Sequence, residues 1–329
     1  MKKYKALFFS SAFLFLSYSL KSQKTLADSL IHPDTLRQIV EVLAADSLNG
    51  RFAGTLENLQ AALFIAGQFE IAGIHPIAGN RKYFMEIEPG WLNVVGAIIG
   101  KSKPGELVIF SAHYDHIGTI KTNPFPGMGG NAKAEKGDEI YNGANDNASG
   151  VSAVISLAKY FKAMNNNERT LIFVAFTGEE LGLIGSKYFA DSFDADSVIA
   201  VINIEMIGRS DSPKIKPYVT GFEKSDLIEI LNKNYRQLMD KSEKNYFKPD
   251  LYKNSFLFLR SDNYPFAQKG IPAHSIMLTS PFDKYYHNLN DEPGTLDYQV
   301  MQKVIHSVAA SVNGLVTGTD TPKRIVRVD

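Results

Sequence analysis

Short apolar runs alternate with longer stretches of helical periodicity along most of the chain. The apolar runs are rich in β-branched and aromatic residues, as in strands that are buried on both faces of a sheet. This alternation predicts an α/β fold, a three-layer sandwich in which helices cover both faces of a central mixed, mostly parallel β-sheet. The predicted strands are residues 91–99, 107–114, 171–176 and 197–206, and the predicted helices are 56–73, 151–164, 181–191, 227–239 and 299–316.

The segments between these elements give no sign of a second domain. Residues 23–329 contain no long linker, charge block or internal repeat, so we expect a single domain over that range. Residues 118–142 are rich in proline and glycine and predict a long surface loop, a kind of segment that is often functional. In open α/β sheets, ligands bind beyond the carboxyl ends of the strands, which directs attention to the polar residues that follow the predicted strands.

The first 22 residues have the composition of a targeting signal. Lysines at positions 2, 3 and 5 precede an apolar run over residues 6–20, and polar residues 21–23 follow. This pattern predicts a signal peptide over residues 1–22. An uncleaved membrane anchor is the alternative, but the run is shorter than the ~20 residues that a membrane span needs. We therefore expect an exported protein, periplasmic or secreted, with no stable membrane association after cleavage.

The composition argues against one class of binding partner and excludes one class of metal ligand. Basic and acidic residues are equal in number, 35 of each, which argues against a generic nucleic-acid-binding protein. The chain has no cysteine and hence no thiolate with which to bind a metal. Any metal site must then use histidine nitrogen and carboxylate oxygen atoms.

Seven ionisable residues stand at predicted strand ends or in turns. Taken singly, most have an ordinary explanation, because strand-end histidines are usually hydrogen-bonded at the surface and acidic residues commonly begin or cap helices. Glu205 is harder to explain so, since a carboxylate in an apolar strand is costly unless it is paired or metal-bound. The set is His113 and Asp115 in HYDHIG, Asp146 in GANDNASG, Glu179 and Glu180 in TGEELG, Glu205 in NIEMIG and His287 in YYHNLND.

Metal chemistry accounts for the set as a whole. Zinc binds histidine nitrogen and carboxylate oxygen, and a catalytic zinc site keeps one position for water. Two neighbouring zinc ions need a shared ligand, and an aspartate has two oxygens to share. Two metals polarise a carbonyl and lower the pKa of a bound water, while a further carboxylate that is not a ligand accepts the proton. Two histidines and four of the five carboxylates in the set meet these requirements.

The motifs H-x-D, G-A-x-D-N-x-S-G, G-E-E-x-G and Y-H-x-x-x-D occur in one order, with LNGRFAGT upstream of them. In this the chain resembles the secreted co-catalytic di-zinc aminopeptidases, the family that includes bacterial leucyl aminopeptidases and glutamate carboxypeptidase. The resemblance runs from about Leu48 to Val316. It implies that residues 23–329 form a zinc-peptidase catalytic domain that hydrolyses the N-terminal bond of peptide substrates with two zinc ions.

The resemblance also implies roles for individual residues. Asp146 would bridge both ions, and Glu179 would be the general base. His113 and Glu205 would complete the protein ligands of one ion, and Glu180 and His287 those of the other.

Three further expectations come from the same resemblance. The Asp115 carboxylate would hold the His113 imidazole in the right tautomer. Tyr286 would stabilise the tetrahedral oxyanion. The peptide bond between Asp146 and Asn147 would be cis.

The chain departs from the family at three positions. Glu205 stands where the family usually has aspartate, so its carboxylate reaches one methylene further, and we expect it to bind zinc through one oxygen. Asn145 often corresponds to an acid that is not expected to bind metal. Asn263 replaces a common histidine, while its neighbour Asp262 either holds the substrate ammonium group or is a buried structural acid.

Two other functions remain open. Glutaminyl cyclases share the fold and similar motifs but use a single zinc ion as aminoacyltransferases, although GANDNASG and YYHNLND look more like the peptidases. The other alternative is a catalytically inactive zinc-binding relative, against which the complete set of ligand-type residues and Glu179 argue.

Overall fold

The fold is seen in a computed structural model, which describes residues 28–77, 82–134, 136–210 and 216–326. The predicted signal peptide, residues 1–22, lies outside the described residues. Within those ranges, no helix has both the length and the apolar character needed to cross a membrane.

Helices and strands follow one another along the described chain. The helices are α1 (Pro33–Leu43), α2 (Leu56–Ile71), α3 (Ser149–Met164), α4 (Ile184–Asp191), α5 (Leu227–Leu238), α6 (Tyr264–Gln268), α7 (Tyr298–Ser311) and α8 (Asn313–Val316). The strands are β1 (His75–Pro76), β2 (Phe84–Glu88), β3 (Trp91–Ile98), β4 (Lys103–His113), β5 (Arg169–Phe176), β6 (Val198–Glu205), β7 (Tyr218–Val219), β8 (Lys248–Pro249) and β9 (Ala273–Met277).

The strands form one mixed sheet with a parallel centre. Their order is β1-β3-β5-β4-β6-β9-β7-β8, and β2 pairs with β3. The central pairs β5/β4, β4/β6 and β6/β9 are parallel. The flanking pairs β3/β5 and β9/β7 are antiparallel.

Successive residues of the central strands pack into two separate cores. In β5, Leu171 and Phe173 belong to one core, whereas Ile172 and Val174 belong to the other. Helices α1, α2, α3, α5 and α7 contribute to the first core, and α4 and α6 to the second. Helices therefore cover both faces of the sheet, and the predicted α/β sandwich is confirmed.

The predicted elements are all found, with ends that differ by a few residues. The helix predicted over 299–316 is divided at Val312 into α7 and α8. The elements that were not predicted are α1, α6, β1, β2, β7, β8 and β9. In β9, His274 and Ser275 are buried polar residues whose partners, the Thr220 carbonyl and the Asn263 side chain, are distant in sequence or in another element. Buried polar residues interrupt the apolar run by which a buried strand is recognised, so the sequence pattern of β9 resembles that of an irregular segment.

The carboxyl ends of the central parallel strands meet at one edge of the sheet. Strand β4 ends at His113, β6 ends at Glu205, and β5 ends three residues before Glu179. The turn 143–148 leads into α3, which packs on these strands. The motif residues at these strand ends and in this turn therefore lie close to one another.

Candidate metal centre

Two groups of ligand-type side chains share one aspartate at this edge of the sheet. Within each group, one ligand atom from each residue lies within 4.8 Å of the others. One group is His113, Asp146 and Glu205, and the other is His116, Asp146, Glu180 and His287.

Asp146 stands between the groups and turns one oxygen toward each. Its Oδ1 is 3.2 Å from His113 Nε2, and its Oδ2 is 3.2 Å from His287 Nε2. A carboxylate in this position has the geometry of a ligand shared by two ions.

The two glutamates approach the same histidines. Glu205 Oε1 is 3.2 Å from His113 Nε2, and Glu180 Oε2 is 3.0 Å from His287 Nε2. In a tetrahedral zinc site with bonds of ~2.0–2.1 Å, neighbouring ligand atoms lie roughly 3.3 Å apart. The extra methylene of Glu205 therefore does not carry its carboxylate past the site.

Several observations suit a bound ion. Asp146 Oδ2 and His287 Nε2 are buried, and although they lie 3.2 Å apart, neither forms a hydrogen bond with the other or with another described residue. Buried polar atoms are nearly always paired, so adjacent unpaired atoms of this kind favour a metal between them. A small cavity of about 50 Å³ is lined by residues of both groups. Nitrogen and carboxylate oxygen are donors that zinc accepts.

Hydrogen bonds from distant residues hold the turn that carries Asp146. Asp291 accepts the backbone N–H groups of Asn145 and Asp146 and forms an ion pair of 2.6 Å with Arg209. Asp291 is the acid of the Y-H-x-x-x-D motif, so this motif ties the His287 loop to the Asp146 turn. The Asp146–Asn147 peptide bond is cis, as predicted.

A buried arginine joins the same turn to the end of β4. Arg51, from LNGRFAGT, donates to the carbonyl groups of Tyr114, Asn142 and Gly143. The side chain is 1 % exposed. The upstream motif therefore positions the loops that carry the two groups and contributes no residue to either group.

Glu179 lies beside the centre and belongs to neither group. Its Oε2 is 4.0 Å from His113 Nε2, and its side chain is 11 % exposed. Burial raises the pKa of Glu179 well above its ordinary value, against the opposing effect of the His113 charge. Glu180 behaves differently: burial opposes its ionisation, but the positive charge of His287 lowers its pKa to about 2. The adjacent glutamates thus have distinct proton affinities.

Asp115 lies beside His113 and also contacts the turn that carries Glu179 and Glu180. His113 Nδ1 lies 3.2 Å from the Asp115 main-chain oxygen, whereas the nearest Asp115 carboxylate oxygen is 3.8 Å away. The carboxylate instead accepts the backbone N–H groups of Glu179 and Glu180, at 3.2 and 3.3 Å. His113 Nδ1 is thus closer to the Asp115 main-chain oxygen than to its carboxylate, and the role of that carboxylate in holding the imidazole stays a prediction.

Tyr286 lines both the small cavity and a neighbouring cleft of about 880 Å³. Its ring stacks on His287 with the centroids 4.0 Å apart, and its hydroxyl oxygen accepts from Arg260 at 3.3 Å. Burial raises the pKa of Tyr286 well above its ordinary value, so the phenol keeps a proton that it can donate. Apolar side chains that line the same cleft include Phe125, Met128, Leu183 and Phe282.

Asp262 lies outside the residues that line the cleft and the small cavity. It is fully buried, and its carboxylate oxygens accept no hydrogen bond from the described residues, since the nearby Ser186 hydroxyl donates to the Leu183 carbonyl. Burial raises the pKa of Asp262 to about 7. Of the two roles considered for Asp262, this geometry favours the buried acid.

The other two positions at which the chain departs from the family have structural partners. Asn145 accepts from the Gly208 N–H and donates to Thr279 Oγ1, and it faces neither ligand group. Asn263 donates to the Phe258 carbonyl.

The prediction missed His116, which is 1 % exposed and lies in the second group. Its Nδ1 is 2.9 Å from Glu180 Oε1. The signal for His116 was the second histidine in HYDH, three residues after His113. It was missed because strand periodicity does not predict the direction of a side chain beyond the end of the strand.

Comparison with curated proteins finds peptidases. Aminopeptidase YwaD of Bacillus subtilis is 26% identical over 243 residues, which cover 69% of this chain and 46% of that protein. A probable zinc metalloprotease of Phaeosphaeria nodorum is 33% identical over 122 residues, covering 36% of this chain and 24% of that protein. The matched region thus spans between about a quarter and about half of the length of these relatives.

Solved structures share the fold. The aminopeptidase LapA of Legionella pneumophila has a TM-score of 0.67 at 19% identity, covering 90% of this chain and 75% of that chain. Glutaminyl cyclase of Porphyromonas gingivalis has a TM-score of 0.65 at 19% identity, covering 87% of this chain and 99% of that chain.

The sequence profile of peptidase family M28 matches residues 93–312, a segment that begins in β3 and ends just after α7. This segment is more than half of the chain and includes every residue of the two ligand groups. The resemblance inferred from the motifs is confirmed: the chain belongs to peptidase family M28.

Proposed function

We propose that this protein is an exported zinc aminopeptidase that hydrolyses the N-terminal bond of peptides, with two zinc ions and Glu179 as the general base. The observation that carries the proposal is the position of Asp146, which turns one carboxylate oxygen toward each of two ligand groups. The family membership and the aminopeptidase among the relatives support the same reaction.

The ligand roles follow the two groups. His113 and Glu205 would hold one ion, Glu180 and His287 the other, and Asp146 both. Two zinc ions in these sites would polarise the substrate carbonyl and lower the pKa of a bound water.

Glu179 is the residue suited to move the proton. It lines the cleft next to Glu180, and its carboxylate is close to the ligands without belonging to either group. A base acts efficiently when its pKa is near the working pH, and burial raises the pKa of Glu179 in that direction. In the proposed mechanism, Glu179 accepts the proton of the attacking water and passes it to the leaving amine.

Tyr286 is suited to stabilise the oxyanion. Tyr286 lines both the cleft and the small cavity, and its hydroxyl keeps its proton. Donation of that proton in a hydrogen bond would stabilise negative charge as it develops on the carbonyl oxygen. The adjoining cleft offers space for a peptide, with apolar side chains for its residues.

Zinc analysis and kinetics of the purified chain test the proposal. The chain should bind two zinc ions and hydrolyse aminoacyl-nitroanilides. Glu179→Ala should keep both ions and lose ~10²–10⁴-fold in kcat, the usual contribution of a general base. Glu180→Ala is the matched control, since loss of a ligand should reduce the zinc content as well. If Glu179→Ala released zinc, Glu179 would be a ligand and the assignment of the pair would be wrong.

Glutaminyl cyclase activity is the second candidate, because the Porphyromonas gingivalis cyclase shares the fold. A peptide with N-terminal glutamine separates the two reactions: a cyclase releases ammonia and leaves a pyroglutamyl peptide, whereas an aminopeptidase releases free glutamine. A chain that binds zinc and acts on neither substrate would be the inactive relative.

Export is tested separately from catalysis. We propose cleavage of the signal peptide after residue 22, which leaves residues 23–329 as the mature catalytic domain. N-terminal sequencing of the protein recovered from the periplasm or the medium should begin at residue 23, and an intact N-terminus would contradict the proposal.

A further inference from the structure

His116 is held rigidly beside the second ligand group. Its ring lies edge-on to that of His287, with centroids 5.5 Å apart and an interplanar angle of 70°. Gly143 packs against the other side: a Cβ at that position would lie 2.6 Å from His116 Cγ and Cδ2. Gly143 also has φ +59°, a conformation that glycine adopts most easily. In this packing, Nδ1 of the His116 ring lies toward Glu180.

Two roles fit a histidine in this place. It could be a direct ligand of the ion held by Glu180 and His287, or it could hold Glu180 through a hydrogen bond. The distances favour the hydrogen bond to Glu180, since His116 Nδ1 is 2.9 Å from Glu180 Oε1 but 3.9 Å from Asp146 Oδ2.

The other ring nitrogen distinguishes the roles. His116 Nε2 is buried and has no hydrogen-bond partner among the described residues. If Nδ1 bound a metal, the proton of the neutral ring would be on Nε2, where metal-binding histidines almost always donate to an acceptor. A buried N–H group without an acceptor is rare. The opposite tautomer places the proton on Nδ1, where Glu180 Oε1 accepts it.

Glu205 shows the same division of its two oxygens. Its Oε1 faces His113, while its Oε2 accepts the hydroxyl of Ser261 at 2.9 Å. In Glu180, Oε2 faces His287 and Oε1 faces His116. Each glutamate thus presents one oxygen to His113 or His287, and its other oxygen lies within hydrogen-bond distance of a further side chain, Ser261 or His116.

We infer that His116 is a positioning residue that donates its Nδ1 proton to Glu180 Oε1, so that Glu180 binds its ion through Oε2 alone. The inference rests on the proposed metal centre, because it concerns how a ligand of that centre is oriented. It adds to that centre a residue that acts on the metal only through Glu180.

Three variants of His116 test the inference by zinc affinity, measured in competition with a chromophoric chelator. His116→Ala removes the donor and should weaken the binding of one of the two ions, the one that Glu180 holds, by about 10- to 100-fold. Loss of a hydrogen bond to a ligand typically has an effect of this size. His116→Asn places an amide N–H near the position of Nδ1 and should restore the affinity to within a few fold. His116→Gln places its amide further out, near Nε2, and should not restore it.

The Co²⁺-substituted protein supplies a second measurement. If His116 is not a ligand, His116→Asn should keep the visible absorption bands of the native Co²⁺ protein, because the ligand set is unchanged. An altered spectrum, or an Asn variant as weak as the Ala variant, would make His116 a direct ligand and overturn the inference. Unchanged zinc affinity in all three variants would also overturn it. If the native chain bound fewer than two zinc ions, the proposed function itself would fail, which distinguishes the two results.

Discussion

Removal of the Ser261 hydroxyl perturbs Glu205, the proposed ligand at which the chain departs from its family. Ser261 Oγ donates to Glu205 Oε2 at 2.9 Å, and it accepts in turn from Asn203 at 2.8 Å. Both Ser261 and Glu205 are 4 % exposed, so water does not replace a lost partner. Ser261→Ala should therefore free the Glu205 carboxylate to rotate without changing any proposed ligand.

The expected size follows from the kind of hydrogen bond that is lost. A hydrogen bond to a charged group contributes about 1.5–3 kcal/mol, and every 1.4 kcal/mol is about tenfold in an equilibrium constant. The ion held by His113 and Glu205 should accordingly bind about 10- to 100-fold more weakly. The ion held by Glu180 and His287 should keep its affinity, since Ser261 touches neither of these residues in the described contacts.

Competition between the metal-free protein and a chromophoric chelator measures both affinities. Ser275→Ala is the matched control, because Ser275 is equally buried and accepts from the same Asn203 side chain at 2.9 Å, yet it contacts no proposed ligand. The reasoning would be refuted if both serine variants weakened zinc binding equally, or if Ser261→Ala left both affinities unchanged.

Two further predictions concern the bridging ligand and stability. Asp146→Asn should weaken the binding of both zinc ions together, since each Asp146 oxygen faces a different group. Zinc analysis that shows the loss of only one ion would contradict a shared ligand. Burial lowers the pKa of His274 to about 4. Between pH 6.5 and 4, the unfolded chain therefore binds a proton that the folded chain does not, and the free energy of unfolding decreases as the pH falls. The loss is on the order of 3 kcal/mol, and urea unfolding of His274→Asn should show a smaller loss over that range. The exposed His75 supplies a control, because His75→Asn should follow the native pH dependence.

The fold class, and the edge of the sheet at which the site lies, could be predicted from the amino-acid sequence alone. Period and length of the apolar runs identified the strands that end at His113, Phe176 and Glu205, and parallel strands place their carboxyl ends together. The order of the motifs was sufficient to identify the family. These conclusions depend on residues that are close in sequence, which is why they needed no coordinates.

The partners of each side chain, in contrast, depend on the folded arrangement of the chain. The donors to Glu205 and Glu180 are Ser261 and His116, which are 56 and 64 residues away along the chain, and no local pattern pairs them. For the same reason the sequence could not show that the Asp115 carboxylate is occupied by two backbone N–H groups, or that Asp262 is fully buried. The direction of a carboxylate oxygen is set by whichever donor the fold brings within about 3 Å, and that neighbour is known only once the chain is folded.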